Sequence, residues 1–347
     1  MTRRKTVLVL AGGDSPERDV SFDSARGIAG ALVEAGYRVL VADPARPSGT
    51  PTEQLDEVFP HTGIGTEPVV PEEDVDGARC EFTRVLSAWQ AYGVDVVFMG
   101  LHGGAGEDGT IQAVLEYVGV PFTGSRAAAC ALAMDKQRTK HLARFAGVPV
   151  VPGVVLDAGA HASGTLEQTV RETVGKPPLV VKPNAQGSSV GLSIVNSYTQ
   201  LDAAVEAAFA VDDHVLVEHY IDGQELTQTY LEGQNNIPVL EICPRSGVYD
   251  YVHKYQPGQT EYRVPAPIDE GIAQLVAHSA RQTIHALGLR HYARIDFRLD
   301  HEGNHYLLEA NALPGMTSTS LVPKSCAAIG INYTEVCDRI VRMALAG

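Results

Sequence analysis

Several things are scarce in this chain of 347 residues, and each scarcity removes a class of protein. The five cysteines (Cys80, Cys130, Cys243, Cys326, Cys337) are odd in number, widely scattered and without CxxC spacing. That argues against a disulfide framework or a structural zinc site and fits a reducing compartment. Long apolar runs are missing: nothing approaches the ~20 residues needed to span a bilayer. The basic start Met1-Thr-Arg-Arg-Lys-Thr is followed only by Val7 to Ala11, too short for a signal h-region, before Gly12-Gly13-Asp14. A cytoplasmic protein without membrane insertion is expected. Positive charge is in deficit, 27 Lys and Arg against 42 Asp and Glu, for a net charge of -15. An acidic surface repels phosphate backbones, so no nucleic-acid partner is expected, although a local basic pocket for one nucleotide is compatible with it. No GxxxxGK[ST] occurs, and no GxGxxG opens a helix in the dinucleotide arrangement.

What is present reads as an α/β protein. Hydrophobic residues at 44% and charged residues at 20% match an ordinary globular balance, and the length allows two or three lobes. Val7-Leu-Val-Leu is a buried parallel strand, followed by a Gly-Gly turn, a helix through Ser24–Ala35 and a second strand from Tyr37 to Ala42. This βαβ opening predicts a parallel sheet. Residues 44–80, rich in Pro, Gly, Glu and Asp, read as loop. Val94–Met99 and Val120–Thr123 read as strands with a helix through Ile111–Tyr117 between them, and Ser125–Phe145 reads as helical. Strands at Leu179–Lys182 and Leu192–Val195 and a helix at Leu201–Phe209 follow, and a further lobe starts near His214. It carries a helix at Ile272–Leu287 and two strands, Ala293–Leu299 and His305–Glu309, joined by a Gly303-Asn304 hairpin turn.

Four segments carry chemistry. In Ala293-Arg-Ile-Asp and Leu308-Glu-Ala-Asn, period-two alternation puts Arg294 with Asp296 on one face and Glu309 with Asn311 on one face. Antiparallel pairing can gather Asp296, Glu309 and Asn311 as hard oxygen ligands, which suit magnesium held together with nucleotide phosphates. The same pattern also serves as the polar face of a half-exposed hairpin. In Val180-Val-Lys-Pro-Asn-Ala-Gln-Gly-Ser-Ser-Val-Gly, a strand delivers Lys182 into a loop of small residues, Gly187 to Gly191, suited to covering a triphosphate. Leu101-His-Gly-Gly-Ala-Gly-Glu-Asp-Gly lies at the carboxyl end of a strand, where open sheets bind ligands. There His102 is a candidate base, carboxylate partner or plain loop residue, while Glu107 and Asp108 also read as helix caps. In Gly12-Gly-Asp-Ser-Pro-Glu-Arg, Glu17 either holds a substrate ammonium or simply complements the helix dipole.

Taken in this order, GGDSPERDVS at 12–21, LHGGAGEDGTIQ at 101–112, MDKQRTK at 134–140 and VVKPNAQGSSVGLS at 180–193 resemble the D-alanine–D-alanine ligase family. YDYVHKY at 249–255, ARIDFRLD at 293–300 and LLEANALPGMTSTSLVPK at 307–324 complete the resemblance over nearly the whole chain. It implies a three-lobed ATP-grasp fold with an N-terminal parallel-sheet domain. The lobes would be 1–124 for substrate, 125–213 with a phosphate-covering loop, and 214–347 with the magnesium and substrate sites. By matching position, Glu17 would bind the ammonium of the first D-alanine and His102 would sit near its carboxylate. Lys136 and Lys182 would grip the α- and β-phosphates, Ser189 a phosphate, and Lys254 the transferred phosphoryl group. Glu218, with His219, Tyr220 and Ile221, would form the adenine strand, with Glu225 on the ribose and Leu308 beside the nucleotide. Asp296, Glu309 and Asn311 would hold two magnesium ions, for which manganese could substitute. Arg294 and the Gly315 amide would stabilise an oxyanion, Ser320 and Leu321 would receive the second substrate's carboxylate, and Tyr255, Ser188 and Glu17 would link the lid to the site.

The resemblance implies ATP and D-alanine as substrates, an acyl phosphate as intermediate, a peptidoglycan precursor as product and a homodimer as assembly. The sequence departs from the family where Ala312 replaces the usual Thr after Asn311 and where Val252-His253 replaces a more usual acidic residue and its neighbour. Residues 44–80 match no family motif. Tyr255 favours a peptide-forming enzyme over the depsipeptide ligases that use D-lactate. Three other readings compete: a dipeptide ligase of specialised metabolism, an α/β dehydrogenase, and a binding protein that has lost catalysis.

Overall fold

In a computed structural model of the chain, residues 3–46, 50–59, 83–84, 86, 89–159, 165–187, 190–245 and 258–347 are described. The opening run is apolar without alternation because its sheet is covered on both faces, as in parallel α/β sheets. Strand β1 (Thr6–Leu10) lies between β2 (Arg38–Ala42) and β3 (Val96–Met99), parallel to both, and β1 and β3 are buried throughout. The helix Arg18–Glu34 begins six residues earlier than its apolar periodicity suggests, taking in Arg18 to Asp23. The segment expected as a strand at 120–123 makes only a single parallel bridge, Val97 to Phe122, at the rim of the sheet.

The second sheet holds β4 (Gly153–Asp157), β5 (Leu179–Pro183), β6 (Ser193–Val195) and β7 (His214–His219) in the order β4-β7-β5-β6, all antiparallel. The third holds β8 (Gln224–Leu231), β9 (Leu240–Pro244), β10 (Thr260–Arg263), β11 (Tyr292–Leu299) and β12 (His305–Asn311), in the order β10-β9-β8-β11-β12. The Gly303-Asn304 turn joins β11 to β12 with Gly303 at φ 86°.

The expected limit at 124 divides no sheet, whereas the one at 213 separates a strand from its sheet. β7 completes the second sheet, so a boundary at 213 cuts through its middle. The stretch 125–145 is two helices, Ala127–Met134 and Lys136–Phe145, separated at Asp135, whose carboxylate accepts the Arg138 N–H at 2.9 Å as an N-cap. Both helices share the apolar core of the third sheet with the helix Glu270–Leu287. The last helix, Tyr333–Ala346, returns to the core of the N-terminal sheet. The chain thus crosses between lobes at both ends of the third sheet, and the clefts between sheets are lined from several segments.

Candidate active site

The third sheet faces the second with a polar patch that the β11–β12 register creates. Asp296 pairs with Glu309 and Arg294 with Asn311, so the four side chains share one face. The register then shifts between Asp296 and Phe297, leaving Leu308 as the extra residue of a β-bulge. Alternation breaks there, and Leu308 and Glu309 both line the cleft. The guanidinium of Arg294 grips Asp296 at 2.8 and 2.9 Å, Asn311 donates to Asp296 at 3.0 Å, and the Thr227 hydroxyl donates at 2.5 Å. Lys136 stands 3.6 Å from Glu309 and donates to the Gln186 carbonyl at 2.7 Å.

Deeper in this cleft lies a buried charge cluster. Glu218 on β7 is 1% exposed; Lys182 reaches its Oε2 at 2.8 Å, and Lys140 reaches Oε1 in a short contact. Val180 pairs with Glu218 across β5 and β7, so Lys182, two residues on, shares that face. Gly153, the other cross-strand neighbour, leaves room: a Cβ there would lie 2.9 Å from the Glu218 Cγ. Burial brings the Lys140 ammonium down to about 8 even beside Glu218. Burial also opposes the charge on Lys182, but Glu218, Glu309 and Glu225 outweigh it and hold that ammonium above its ordinary value. For Glu218 burial is likewise outweighed, by the two lysines, and its carboxyl sits below the usual range. Tyr220, Ile221, Glu225 and Leu308 line the same cleft, with Arg298 3.7 Å from Glu225 and over the Tyr220 ring.

A second cavity of about 430 Å³ opens between the N-terminal lobe and the loop after β12. Its walls include Glu17, His102, Gly315, Ser320 and Leu321. Glu17 occupies the N-cap position of its helix without capping it; its carboxylate is wedged between Gly187 and Gly103, where added Cβ atoms would lie 2.6 and 2.9 Å away. His102 is buried. Its Nε2 lies 2.8 Å from the Ser24 hydroxyl, and its Nδ1 lies 3.7 Å from Glu107. The carboxylate favours the proton on Nδ1, so Nε2 accepts from Ser24. Burial, with the charge of Glu17, raises the Glu107 carboxyl although His102 opposes it. Ser24 in turn accepts the Met316 N–H at 3.4 Å, and Tyr333 donates to the Met316 carbonyl at 2.6 Å. The loop carrying Gly315 is therefore pinned on both sides of Met316 by the helix Arg18–Glu34 and the C-terminal helix. Ser320 accepts the Thr317 N–H at 3.0 Å.

Lys136, Gln186, Gly187, Arg294 and Glu309 line both cavities, so the two form one continuous site. Of the residues singled out in the sequence, Glu17, His102, Lys136, Lys182, Glu218, Tyr220, Ile221, Glu225, Arg294, Asp296, Leu308, Glu309, Asn311, Gly315, Ser320 and Leu321 converge on it. Of these, Glu218 turns its carboxylate to two lysines and His102 spends both ring nitrogens inside the protein. Ser188, Ser189, Lys254 and Tyr255, with the departure at Val252-His253, lie outside the described residues. Lys140 and Ser24 escaped the sequence reading. The i, i+4 spacing of Lys136 and Lys140 on a short helix was the available signal for the first; no local pattern marks the second.

The donors fit a hard divalent cation: two carboxylates and an amide oxygen on one face, with no cysteine lining the cleft that Asp296 and Glu309 share. Arg294 and Lys136 balance those carboxylates.

Residues 6–125 match the sequence profile of the D-ala D-ala ligase N-terminus, and residues 142–342 that of the D-ala D-ala ligase C-terminus. The chain is 38% identical to a D-alanine–D-alanine ligase of Syntrophotalea carbinolica over 98% of this chain and 96% of that one. It is 39% identical to one of Bordetella petrii, over 97% and 91%. Its fold is similar to that of the VanG D-Ala:D-Ser ligase from Enterococcus faecalis, with a TM-score of 0.77, 26% identity, and 99% and 100% of the two chains covered. With ATP-grasp architecture and both halves of the profile matched in order, the chain belongs to the D-alanine–D-alanine ligase family.

Proposed function

We propose that this protein joins two D-alanine molecules into D-alanyl-D-alanine for peptidoglycan synthesis, consuming ATP through an acyl phosphate. The observation that carries the reading is the continuity of the two cavities at Lys136, Gln186, Gly187, Arg294 and Glu309. A cleft that presents Lys136, Lys182, Arg294 and Arg298 opens directly into a chamber whose wall carries the carboxylate of Glu17, which would receive an ammonium group.

A free carboxylate is a poor acyl donor. Attack by its oxygen on the γ-phosphorus expels ADP and leaves a mixed anhydride. The amine of the second D-alanine then attacks the acyl carbon, and inorganic phosphate departs. Lys136 and Lys182, which line the cleft, would hold phosphate oxygens, and cations there would offset charge in the transferring group. Magnesium, held by Asp296, Glu309 and Asn311, would supply further charge neutralisation on the phosphates. Glu17 would fix the first ammonium and so direct its carboxylate towards Lys136. Arg294, fixed by Asp296, and the Gly315 N–H, on its pinned loop, would face the tetrahedral oxyanion as donors set before reaction. Ser320 and Leu321 would seat the second carboxylate. The assembly we infer is a homodimer, as the family resemblance suggests.

The test is ADP and phosphate release from ATP with D-alanine, the product identified by mass spectrometry, beside L-alanine, D-serine and D-lactate. D-alanyl-D-alanine from D-alanine alone is the expected result. ATP consumption only with another amino acid would move the protein to a different dipeptide ligase.

A further inference from the structure

Among the described residues, oppositely charged side chains meet along the nucleotide cleft at three places. Arg294 meets Asp296 at 2.8 Å, Lys136 meets Glu309 at 3.6 Å, and Arg298 meets Glu225 at 3.7 Å. At Glu218 one carboxylate takes two ammonium groups, Lys140 on one oxygen and Lys182 on the other. All three are buried, at 5%, 8% and 1% exposed for Lys140, Lys182 and Glu218. Lys182 and Glu218 line the cleft; Lys140 does not. Lys140 sits one helical turn beyond Lys136, so one face of the helix Lys136–Phe145 offers a first lysine to the cleft and a second to the carboxylate behind it.

We propose that Lys140 is a positioning residue for the nucleotide: it holds and neutralises Glu218, leaving the charge of Lys182 to the phosphates. The proposal rests on ATP use by this site. Without Lys140, Glu218 and Lys182 would form a neutral pair. Lys182 would be drawn to that partner, and a phosphate would have to compete with a buried carboxylate for it. With Lys140 in place the cluster carries a surplus positive charge, and Lys182 presents it at the cleft. Charge that is buried but unpaired is costly, so the surplus favours an anionic ligand.

The test uses the full-length enzyme and reads binding of ADP with magnesium chloride by calorimetry, without any amino acid, beside KM for ATP and kcat. In Lys140→Met nucleotide binding should weaken at least about tenfold, with KM for D-alanine unchanged, because the lost interaction lies in the nucleotide cleft. Lys140→Arg, which keeps the charge, should lie nearer the wild type than Lys140→Met. The decisive variant is Lys140→Met/Glu218→Gln, in which the carboxylate and one of its two lysines leave together and Lys182 keeps its charge at the cleft. It should bind nucleotide more tightly than Lys140→Met alone, a coupling that a purely structural role for Lys140 does not give. A double variant no better than Lys140→Met, or Lys140→Met binding like the wild type, would overturn the proposal. A wild type that binds nucleotide but forms no dipeptide would instead overturn the ligase reading and leave this comparison standing.

Discussion

The two halves of the site are made of different material. The nucleotide cleft is built from charged side chains on strands: Lys182 on β5, Glu218 on β7, Glu225 on β8, Arg294 and Asp296 on β11, Glu309 on β12. The transfer chamber is built largely from loops and helix ends: Glu17, His102 with Ser24 behind it, and the backbone of Gly315 and Met316. Strands give charge a fixed pitch, so a triphosphate can be matched by side chains alone. Acyl transfer asks for donors at a point where an oxyanion exists only briefly, and backbone held by neighbouring helices meets that need without flexible side chains. Variants in the chamber should accordingly change turnover and amino-acid use and leave nucleotide binding alone.

Arg294 tests the division hardest because it lines both cavities. Arg294→Ala should lower kcat by about 10²–10³-fold, the usual loss of an oxyanion donor. ADP affinity should change little, since Lys136 and Lys182, the lysines proposed for the phosphates, remain. Steady-state kinetics beside calorimetry separate the two, and unimpaired turnover would remove Arg294 from the transfer step.

Gly187→Ala probes the chamber from above. An added methyl would come within 2.6 Å of the Glu17 Oε2, the mobile end of a flexible side chain, so the carboxylate moves and the fold does not break. The expected outcome is about a tenfold rise in KM for the first D-alanine, roughly 1.4 kcal/mol. An unchanged thermal midpoint would distinguish lost substrate contact from lost stability.

How far these differences were legible in the sequence follows from the same contrast. Period two placed Arg294 with Asp296 on one face of their strand and Glu309 with Asn311 on one face of the next, and the register of the structure joins the two pairs. It said nothing of the bulge at Leu308, since one extra residue leaves no mark on composition. The buried run Val7–Leu10 and the parallel opening were equally plain. Lobe limits were not, because β7 and the helices at 127–145 join sheets distant in sequence, and nothing local says which core an apolar face will meet. The pairing of Ser24 with His102 was hidden for the same reason: the partners are 78 residues apart and meet only when the helix packs on the sheet.

Tyr333→Phe isolates the pinning of the transfer loop. It removes the 2.6 Å bond to the Met316 carbonyl and leaves the Ser24 contact on the other side. A hydrogen bond of this kind contributes about 0.5–1.5 kcal/mol. If that energy goes into holding Gly315, kcat should fall by about twofold to tenfold at constant nucleotide affinity. A variant that loses thermal stability but keeps kcat would make Tyr333 a packing residue only.

The smallest expected effect lies at the joint between the N-terminal sheet and β11, where neither half of the site reaches. His291 is the non-glycine residue found at positive φ among those described, at 60°. Its N–H donates to Glu232 at 2.8 Å, and its Nδ1 accepts the Gly124 N–H at 3.1 Å. An accepting nitrogen cannot carry a proton, and burial, helped by Arg290, pushes the imidazole down to about 4. Above the unfolded value near 6.5 the ring is neutral in both states, so its titration contributes nothing to stability. As pH falls below that value, the unfolded chain takes up a proton that the folded chain resists. Stability therefore drops through the interval down to about 4 and levels off below it. Asparagine tolerates positive φ and does not titrate in this range, so His291→Asn should be less stable at neutral pH, with the deficit shrinking as the wild type loses its advantage towards pH 4. Urea denaturation at several pH values reads that gap directly. A constant gap would mean that the joint is held by the Glu232 contact and by Arg290, whose side chain donates to the Gly124 carbonyl at 2.9 Å, and that His291 matters there for its backbone alone.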